Sequence, residues 1–116
     1  MRFILLVAAG ALMAGPALAA DGAAVFASQC KVCHTTTAAS GPAGPSLKGV
    51  AGRKLGSLSD FAYSPGLKAK GGSWSDANLD AFLTNPSAFA PGTKMFARVP
   101  AADNRAAVIA YLKTLK

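Results

Sequence analysis

The stretch Cys30-Lys31-Val32-Cys33-His34 (CKVCH) contains both cysteines and the only histidine of this 116-residue chain. Thiolate and imidazole groups are among the commonest protein ligands for metals and redox groups. Because all three of these side chains fall within five consecutive positions, we expect a single site that uses all of them. The fold should then be organised around whatever CKVCH binds.

The N-terminal twenty residues have the three parts of a secretory signal. Arg2 gives a positive start, an apolar run extends over residues 3–13, and Ala17-Leu18-Ala19 forms a small-x-small cleavage site. The apolar run is shorter than the roughly 20 residues that a transmembrane helix needs. This pattern predicts export with cleavage rather than a membrane anchor.

We therefore expect two regions. Residues 1–19 are predicted to be a signal peptide, cleaved after Ala19 or alternatively after Ala20, and residues 20–116 a single domain without a transmembrane span. Export implies the periplasm of a bacterium. A domain of this size buries only just enough apolar surface to fold, so a large buried ligand would stabilise it.

The chain is strongly basic, with twelve Lys or Arg against five acidic residues and a net charge of +7. The lysines are scattered singly, without the runs that follow a phosphate backbone, and export also argues against a nucleic-acid partner. An acidic protein or an anionic membrane surface fits this charge better.

Periodicity and capping residues predict an all-α protein with long loops. No strand-like alternation of useful length is present. Residues 87–90 are expected to add one turn after Pro86. The three main helices are predicted from Asp21 to about Cys33, from a cap at Ser73 or Ser75 to Pro86, and from about Ala101 to Thr114.

Between the first two predicted helices, residues 35–73 are rich in Gly, Pro, Ser and Ala and show no sustained period. Loops of this length are uncommon in small domains unless they are functional. Their apolar residues, such as Leu55, Phe61 and Trp74 just beyond, are too numerous for a disordered linker. We expect this segment to pack on a ligand.

Four chemistries compete for a Cys-x-x-Cys-His motif. Structural zinc requires four ligands, and a redox dithiol of the thioredoxin type should follow a strand in a βαβ unit, which this sequence does not predict. A Cys30–Cys33 disulfide would close a very small loop and stabilise little. The fourth chemistry is covalent haem attachment, with a thioether from each cysteine and His34 as an iron ligand.

Met95 favours the haem interpretation. It is the only methionine left after removal of the signal peptide, and it lies between Pro91-Gly92 and Pro100 in a segment that is not predicted to be helical. Histidine and methionine together are the axial ligands of electron-transferring cytochromes c. The alternative for a single methionine is a core position.

With these residues in place, the chain resembles the class I c-type cytochromes, in particular mitochondrial cytochrome c and its small soluble bacterial relatives. The similarity extends over nearly all of residues 20–116, in the order CKVCH, GPSLKGVAGRKLG, FAYSPGLKAKGGSWS, LTNPSAFAPGTKMF and VIAYLK. It implies the cytochrome c fold, in which three main helices, short turns and long loops surround one haem c.

The resemblance also implies roles for individual residues. Cys30 and Cys33 would bind the haem covalently, and His34 and Met95 would be the axial ligands of the iron. The environment of the haem would include the Pro45 carbonyl as acceptor for the His34 ring, Arg53, Tyr63 and Trp74 at a buried propionate, and the Thr93 hydroxyl beside it. Gly22 and Phe26 would meet Val108 and Tyr111 where the terminal helices cross.

Three features depart from the family pattern. Phe82 replaces a tyrosine whose hydroxyl lies near the methionine sulfur, and Leu67 replaces an asparagine that holds buried water. The segment from Met95 to Pro100 is about one residue short. Loss of a donor to sulfur and a drier pocket should shift the reduction potential in opposite directions.

The function implied is that of a one-electron carrier, not an enzyme, because the chain has no glutamate and no second histidine to serve as acid or base. The alternatives are a haem-based ligand-binding or sensor protein and an electron-transfer subunit of a periplasmic dehydrogenase. We expect a monomer whose acidic redox partners include a cytochrome bc complex, a photosynthetic reaction centre, an oxidase or a dehydrogenase. The basic residues expected to face them are Lys31, Lys48, Lys68, Lys70, Lys94 and Arg98.

Overall fold

The computed structural model describes residues 21–116, and the predicted signal peptide with its cleavage site lies outside these described residues. Within them the chain forms helices joined by long loops, and its only bridge of β type is an isolated pair between Lys54 and Ser73. The all-α prediction is confirmed. The helices are α1 (Gly22–Gln29), α2 (Pro65–Lys70), α3 (Asp76–Thr84), α4 (Pro86–Phe89) and α5 (Ala102–Leu112).

Side-chain caps fix the start of four of these helices. Asp21 caps α1 as predicted, and Ser75 rather than Ser73 caps α3. Asn85 caps α4, the turn expected after Pro86. In each case a side-chain oxygen accepts a hydrogen bond from a backbone N–H that has no partner within the helix.

Helix α2 was predicted as loop, and that prediction was wrong. Ser64 accepts a hydrogen bond from the Leu67 N–H, and Pro65 occupies the first helical position, where its missing N–H costs nothing. The helix is too short to show an apolar period. It nevertheless places Leu67 in the core.

The first helix ends about one turn before the predicted end. After Gln29 the Lys31 N–H bonds to the Phe26 carbonyl, at 3.0 Å, which widens the turn beyond α-helical spacing. Residues 30–33 then form a separate turn, closed by a 2.9 Å hydrogen bond from the His34 N–H to the Cys30 carbonyl. CKVCH therefore follows the helix as a compact turn.

The terminal helices α1 and α5 cross at close range, as the sequence implied. A side chain on Gly22 would collide with the Ala107 carbonyl and would come within 2.9 Å of the Tyr111 Cβ. The Phe26 and Tyr111 rings lie 5.2 Å apart, and Val108 is fully buried beside them. Helix α3 also packs on α5, so α1, α3 and α5 form one packed unit from which the loops extend.

Candidate cofactor site

All nine residues predicted for the site line one cavity of about 350 Å³. The cavity lies between CKVCH, the loops of residues 35–64 and 91–97, and the inner faces of α2, α3 and α5. Most of its wall is apolar, and much of that wall is also the hydrophobic core. The nine residues are Cys30, Cys33, His34, Pro45, Arg53, Tyr63, Trp74, Thr93 and Met95.

The His34 ring is held in one orientation. Its Nδ1 lies 2.8 Å from the Pro45 carbonyl oxygen, which can only accept, so Nδ1 carries the proton and Nε2 carries the lone pair. Burial lowers the pKa of His34, an effect that the bond to Pro45 opposes and the Arg53 charge reinforces. A neutral imidazole with a free lone pair on Nε2 is the form that binds a metal.

Gly44 permits this arrangement. A Cβ at this position would lie 2.8 Å from both Cε1 and Nδ1 of His34 and 2.9 Å from the Cys33 carbonyl oxygen. Only a residue without a side chain lets the loop approach the ring closely enough for the Pro45 carbonyl to reach it.

The two cysteines are free thiols in different environments. Cys30 is buried and Cys33 is exposed. Burial raises the pKa of Cys30 to about 11, with a smaller contribution from Cys33. Among residues 21–116 no group of three or more His, Cys, Asp or Glu side chains is placed to hold a metal ion, so the zinc interpretation has no support in the geometry.

Arg53 lines the cavity, and its guanidinium is only partly hydrogen-bonded. Its Nη2 donates to the Ser46 carbonyl at 2.9 Å and its Nη1 to the Lys48 carbonyl at 3.2 Å. Its buried Nε has no partner within the described part of the chain. Burial lowers the pKa of Arg53, whereas Tyr63 and Asp60 raise it. A buried cationic side chain that keeps an unpaired donor is a candidate partner for an anionic group.

Two contacts hold the loops that carry these residues. The Asp60 carboxylate accepts from the Ser40 backbone N–H at 2.8 Å and from its hydroxyl at 2.7 Å, and these bonds lower the pKa of Asp60. The Trp74 backbone N–H donates to the Arg53 carbonyl at 2.8 Å. The first contact joins the loop before Pro45 to the loop before Tyr63, and the second places Arg53 beside Trp74.

The remaining predicted residues form the other walls. The buried Trp74 ring packs against Phe82 and Phe89, with ring centroids 5.1 and 5.8 Å apart. The Tyr63 hydroxyl accepts from the Leu58 N–H at 3.3 Å, which leaves its proton available to another acceptor. Thr93 is buried, and half-buried Met95 follows it two positions later.

Sequence comparison identifies the class of protein that this geometry belongs to. A sequence model described as cytochrome c matches residues 19–116. The chain belongs to the class I c-type cytochromes. Cytochrome c of Tetrahymena pyriformis is 49% identical over 98 residues, which cover 84% of this chain and 88% of that protein. Cytochrome c2 iso-1 of Magnetospirillum molischianum is 46% identical over 91 residues, covering 76% and 91%.

The fold agrees with this assignment. The structure of cytochrome cH from Methylobacterium extorquens matches with a TM-score of 0.74 and 41% identity, covering 80% of this chain and 94% of that one. Cytochromes of this family carry electrons and bind haem c covalently, so haem c is the cofactor of this cytochrome and electron transfer is its role.

The cavity fits haem c on its own chemistry. Haem is a large apolar ring with two carboxylate groups on one side, and the cavity combines a largely apolar wall with the charged side chain of Arg53. The two thiols lie on the same turn as the neutral histidine.

Between residues 21 and 116 no helix is both long and apolar enough to cross a bilayer.

Three residues in or next to the site were not predicted from the sequence. Gly44 lies in the Gly-Pro-Ala-Gly-Pro stretch, whose density of turn residues is the only sequence signal for it. Val32 and Phe96 are the large apolar residues that stand out as exposed, at 83% and 82%, and each adjoins or lines the cavity. No sequence pattern indicates that exposure.

We predict that Gly44→Ala weakens the support of the His34 ring. The added methyl group must displace the ring or the loop, and overpacking of this kind costs about 1–3 kcal/mol. Denaturant unfolding of the haem-loaded protein should show that loss of stability, and the NMR signal of the His34 Nδ1 proton should shift. Gly41→Ala is the control, because a Cβ there meets its nearest atom at 3.6 Å. Equal stability of the two variants would contradict the role given to Gly44.

Proposed function

We propose that this cytochrome is a soluble periplasmic one-electron carrier with His34 and Met95 as the axial ligands of the haem iron. The observation that carries the proposal is that these two side chains, one a neutral imidazole and the other a thioether, line the same largely apolar cavity. When bound, haem c supplies a one-electron couple between ferric and ferrous iron. The residues of the chain have to hold it, ligate it and limit its contact with water.

Attachment is assigned to Cys30 and Cys33. They are separated by one tight turn and both line the cavity, so each thiol can form a thioether on the same side of the macrocycle. His34 follows immediately, and its fixed tautomer presents Nε2 as the ligand atom. Covalent attachment and the first axial ligand thus come from one rigid turn.

Arg53, Tyr63, Trp74 and Thr93 are proposed to hold a buried propionate. The Arg53 guanidinium supplies a charged donor, and the Tyr63 hydroxyl retains a proton to donate. The indole N–H of Trp74 and the hydroxyl of Thr93 are further donors, and buried donors of this kind need partners. A carboxylate that accepts several such bonds is held in its charged form.

The wall near Met95 offers few polar groups. Phe82 and Leu67 are both buried and line the cavity, at the two positions where the family has polar side chains. Neither can donate to the Met95 sulfur or hold a water molecule. This environment supports a carrier, because a dry pocket closed by two side-chain ligands gives an incoming small molecule little access to iron.

We predict that Met95→Ala converts the carrier into a ligand-binding protein. Loss of the thioether opens the sixth coordination position, so the reduced variant should bind carbon monoxide readily. The ferric form should lose the weak sulfur-to-iron absorption band near the red end of the spectrum. Lys54→Ala, a change at an exposed residue outside the cavity lining, should keep the band.

The same two measurements on the unmodified protein distinguish an electron carrier from its main alternative, a haem-based sensor or ligand-binding protein. If its ferric form lacked the sulfur band, or its ferrous form bound carbon monoxide as fast as Met95→Ala does, a sensor or ligand-binding role would be favoured. An electron-transfer subunit of a dehydrogenase would show the band but would be isolated in a stable complex with that enzyme.

The proposed partners are acidic redox proteins such as a cytochrome bc complex, a reaction centre, an oxidase or a dehydrogenase. Within residues 21–116, ion pairs join Asp80 and Asp76 of α3 to Arg105 of α5 and to Lys113, the residue that follows α5. The six basic residues predicted to face a partner belong to neither pair. Lys31 and Arg98 are each next to a residue of the cavity lining, and Lys94 lines it. Exposed Val32 and Phe96 lie among them and supply apolar contact.

We predict that Lys31→Glu slows electron transfer to purified cytochrome c oxidase at low ionic strength. Like charges oppose the encounter, and removal of positive charge from the steering face should also flatten the dependence of the rate on salt. Lys113→Glu is the control with the same change of charge, because Lys113 lies beside Asp76 of α3 and outside the cavity lining. A rate for the unmodified protein that does not change with salt would rule out steering.

Periplasmic location rests on the signal sequence. We predict that the protein recovered from the periplasmic fraction of its bacterial host begins at Ala20, or at Asp21 if cleavage follows the next alanine. Mass spectrometry of the intact haem protein gives the N-terminus directly. Retention of Met1, or recovery in the cytoplasmic fraction, would contradict export.

A further inference from the structure

Helix α2 touches the loop that carries Met95 through a glycine. The Cα of Gly66, in the first turn of α2, lies so close to Pro91 that a Cβ would collide with the Pro91 carbonyl oxygen and would lie 3.3 Å from the carbonyl carbon. Gly66 is not among the glycines with positive φ, so an alanine could adopt its backbone conformation. The glycine is needed for the close approach and not for a special conformation.

A second contact joins the same two parts of the chain. The Lys94 ammonium donates to the Ala62 carbonyl at 2.9 Å. Residues 62–66 therefore touch the Met95 loop at both ends, through Gly66 at Pro91 and through Ala62 at Lys94. We call these two contacts the α2 clamp.

The loop inside the clamp is a tight turn that ends at Met95. The Thr93 N–H donates to the Ala90 carbonyl at 3.0 Å, and the Met95 N–H lies 3.4 Å from the Thr93 hydroxyl oxygen. Ala90 is fully buried and anchors the start of the turn. Because the turn is anchored at Ala90 and held by these hydrogen bonds, a displacement of Pro91 should also move Met95.

From this geometry we infer that Gly66 is a positioning residue for Met95, acting through Pro91. The inference rests on the proposed function, in which the Met95 sulfur is an axial ligand. A thioether is neutral and has no charge to hold it at a metal, so the persistence of the bond depends on how firmly the loop is held. The α2 clamp supplies that restraint, and a side chain at position 66 pushes the loop outward.

The test is Gly66→Ala in the haem-loaded protein. We expect the sulfur-to-iron band of the ferric form to weaken or to disappear at a lower temperature than in the unmodified protein. Carbon monoxide should bind to the ferrous form at least about tenfold more readily, as an overpacked contact of this type implies. Gly41→Ala is the matched control, since a methyl group there meets only ordinary contacts, and it should leave both measurements within about twofold.

Lys94→Ala tests the other contact without adding bulk, so it addresses the clamp even if Gly66→Ala fails to fold or to retain haem. It should shift both measurements in the same direction by a smaller amount, about two- to fivefold for one hydrogen bond. Lys54→Ala, a change at another exposed lysine, is its control.

The outcomes separate the inference from the function on which it rests. Absence of the sulfur band in the unmodified protein would overturn the assignment of Met95 as ligand, and the inference with it. A normal band in the unmodified protein, with Gly66→Ala matching Gly41→Ala in band and carbon monoxide binding, would overturn the clamp alone, whatever happens to thermal stability. If Gly66→Ala does not fold, equal behaviour of Lys94→Ala and Lys54→Ala would overturn the clamp.

Discussion

The packing of apolar side chains around the cofactor cavity is the interaction on which this fold depends. Leu47, Val50, Leu79, Phe82 and Leu83 are all buried core residues, and all line the cofactor cavity. A domain of this size has little apolar surface to spare, so a core that surrounds a large apolar ligand cannot be separated from ligand binding. The same holds for the long loops, because the apolar side chains on their inner surfaces belong to the hydrophobic core.

This dependence explains which helices were predictable from the sequence. Helices α1, α3 and α5 have capping residues or an apolar period of their own, and these are local properties of the chain. Helix α2 is only six residues long and buries one side chain, Leu67, against the cavity. Its stability comes from tertiary contact, which a periodic pattern does not record. The early end of α1 is likewise absent from the periodic pattern, because it depends on the backbone bonds from Lys31 to Phe26 and from His34 to Cys30.

The chemistry of the site was more predictable than its shape. Thiols, imidazole and thioether are rare or distinctive groups, so Cys30, Cys33, His34 and Met95 could be named from the residues themselves, and the resemblance to a known family added the other five candidates. Gly44 and Gly66 could not be named in this way, because the function of a glycine depends on what occupies the space where its side chain would be. That neighbour is His34 in one case and Pro91 in the other, and both are brought there by the tertiary fold.

The two proposed ligands are held in very different ways, and this difference bears on what the scaffold can do. His34 adjoins Cys33, bonds to Pro45 and rests against Gly44, so its position is fixed by neighbours within one short stretch of chain. Met95 lies far along the sequence on a turn whose position depends on contacts with another loop. Weakening the contacts around Met95 would free one coordination position of the iron. It would leave the proposed covalent attachment through the two cysteines and the His34 ligand intact. On this fold the packing of one loop, as well as the identity of residue 95, can therefore separate a carrier from a ligand-binding protein.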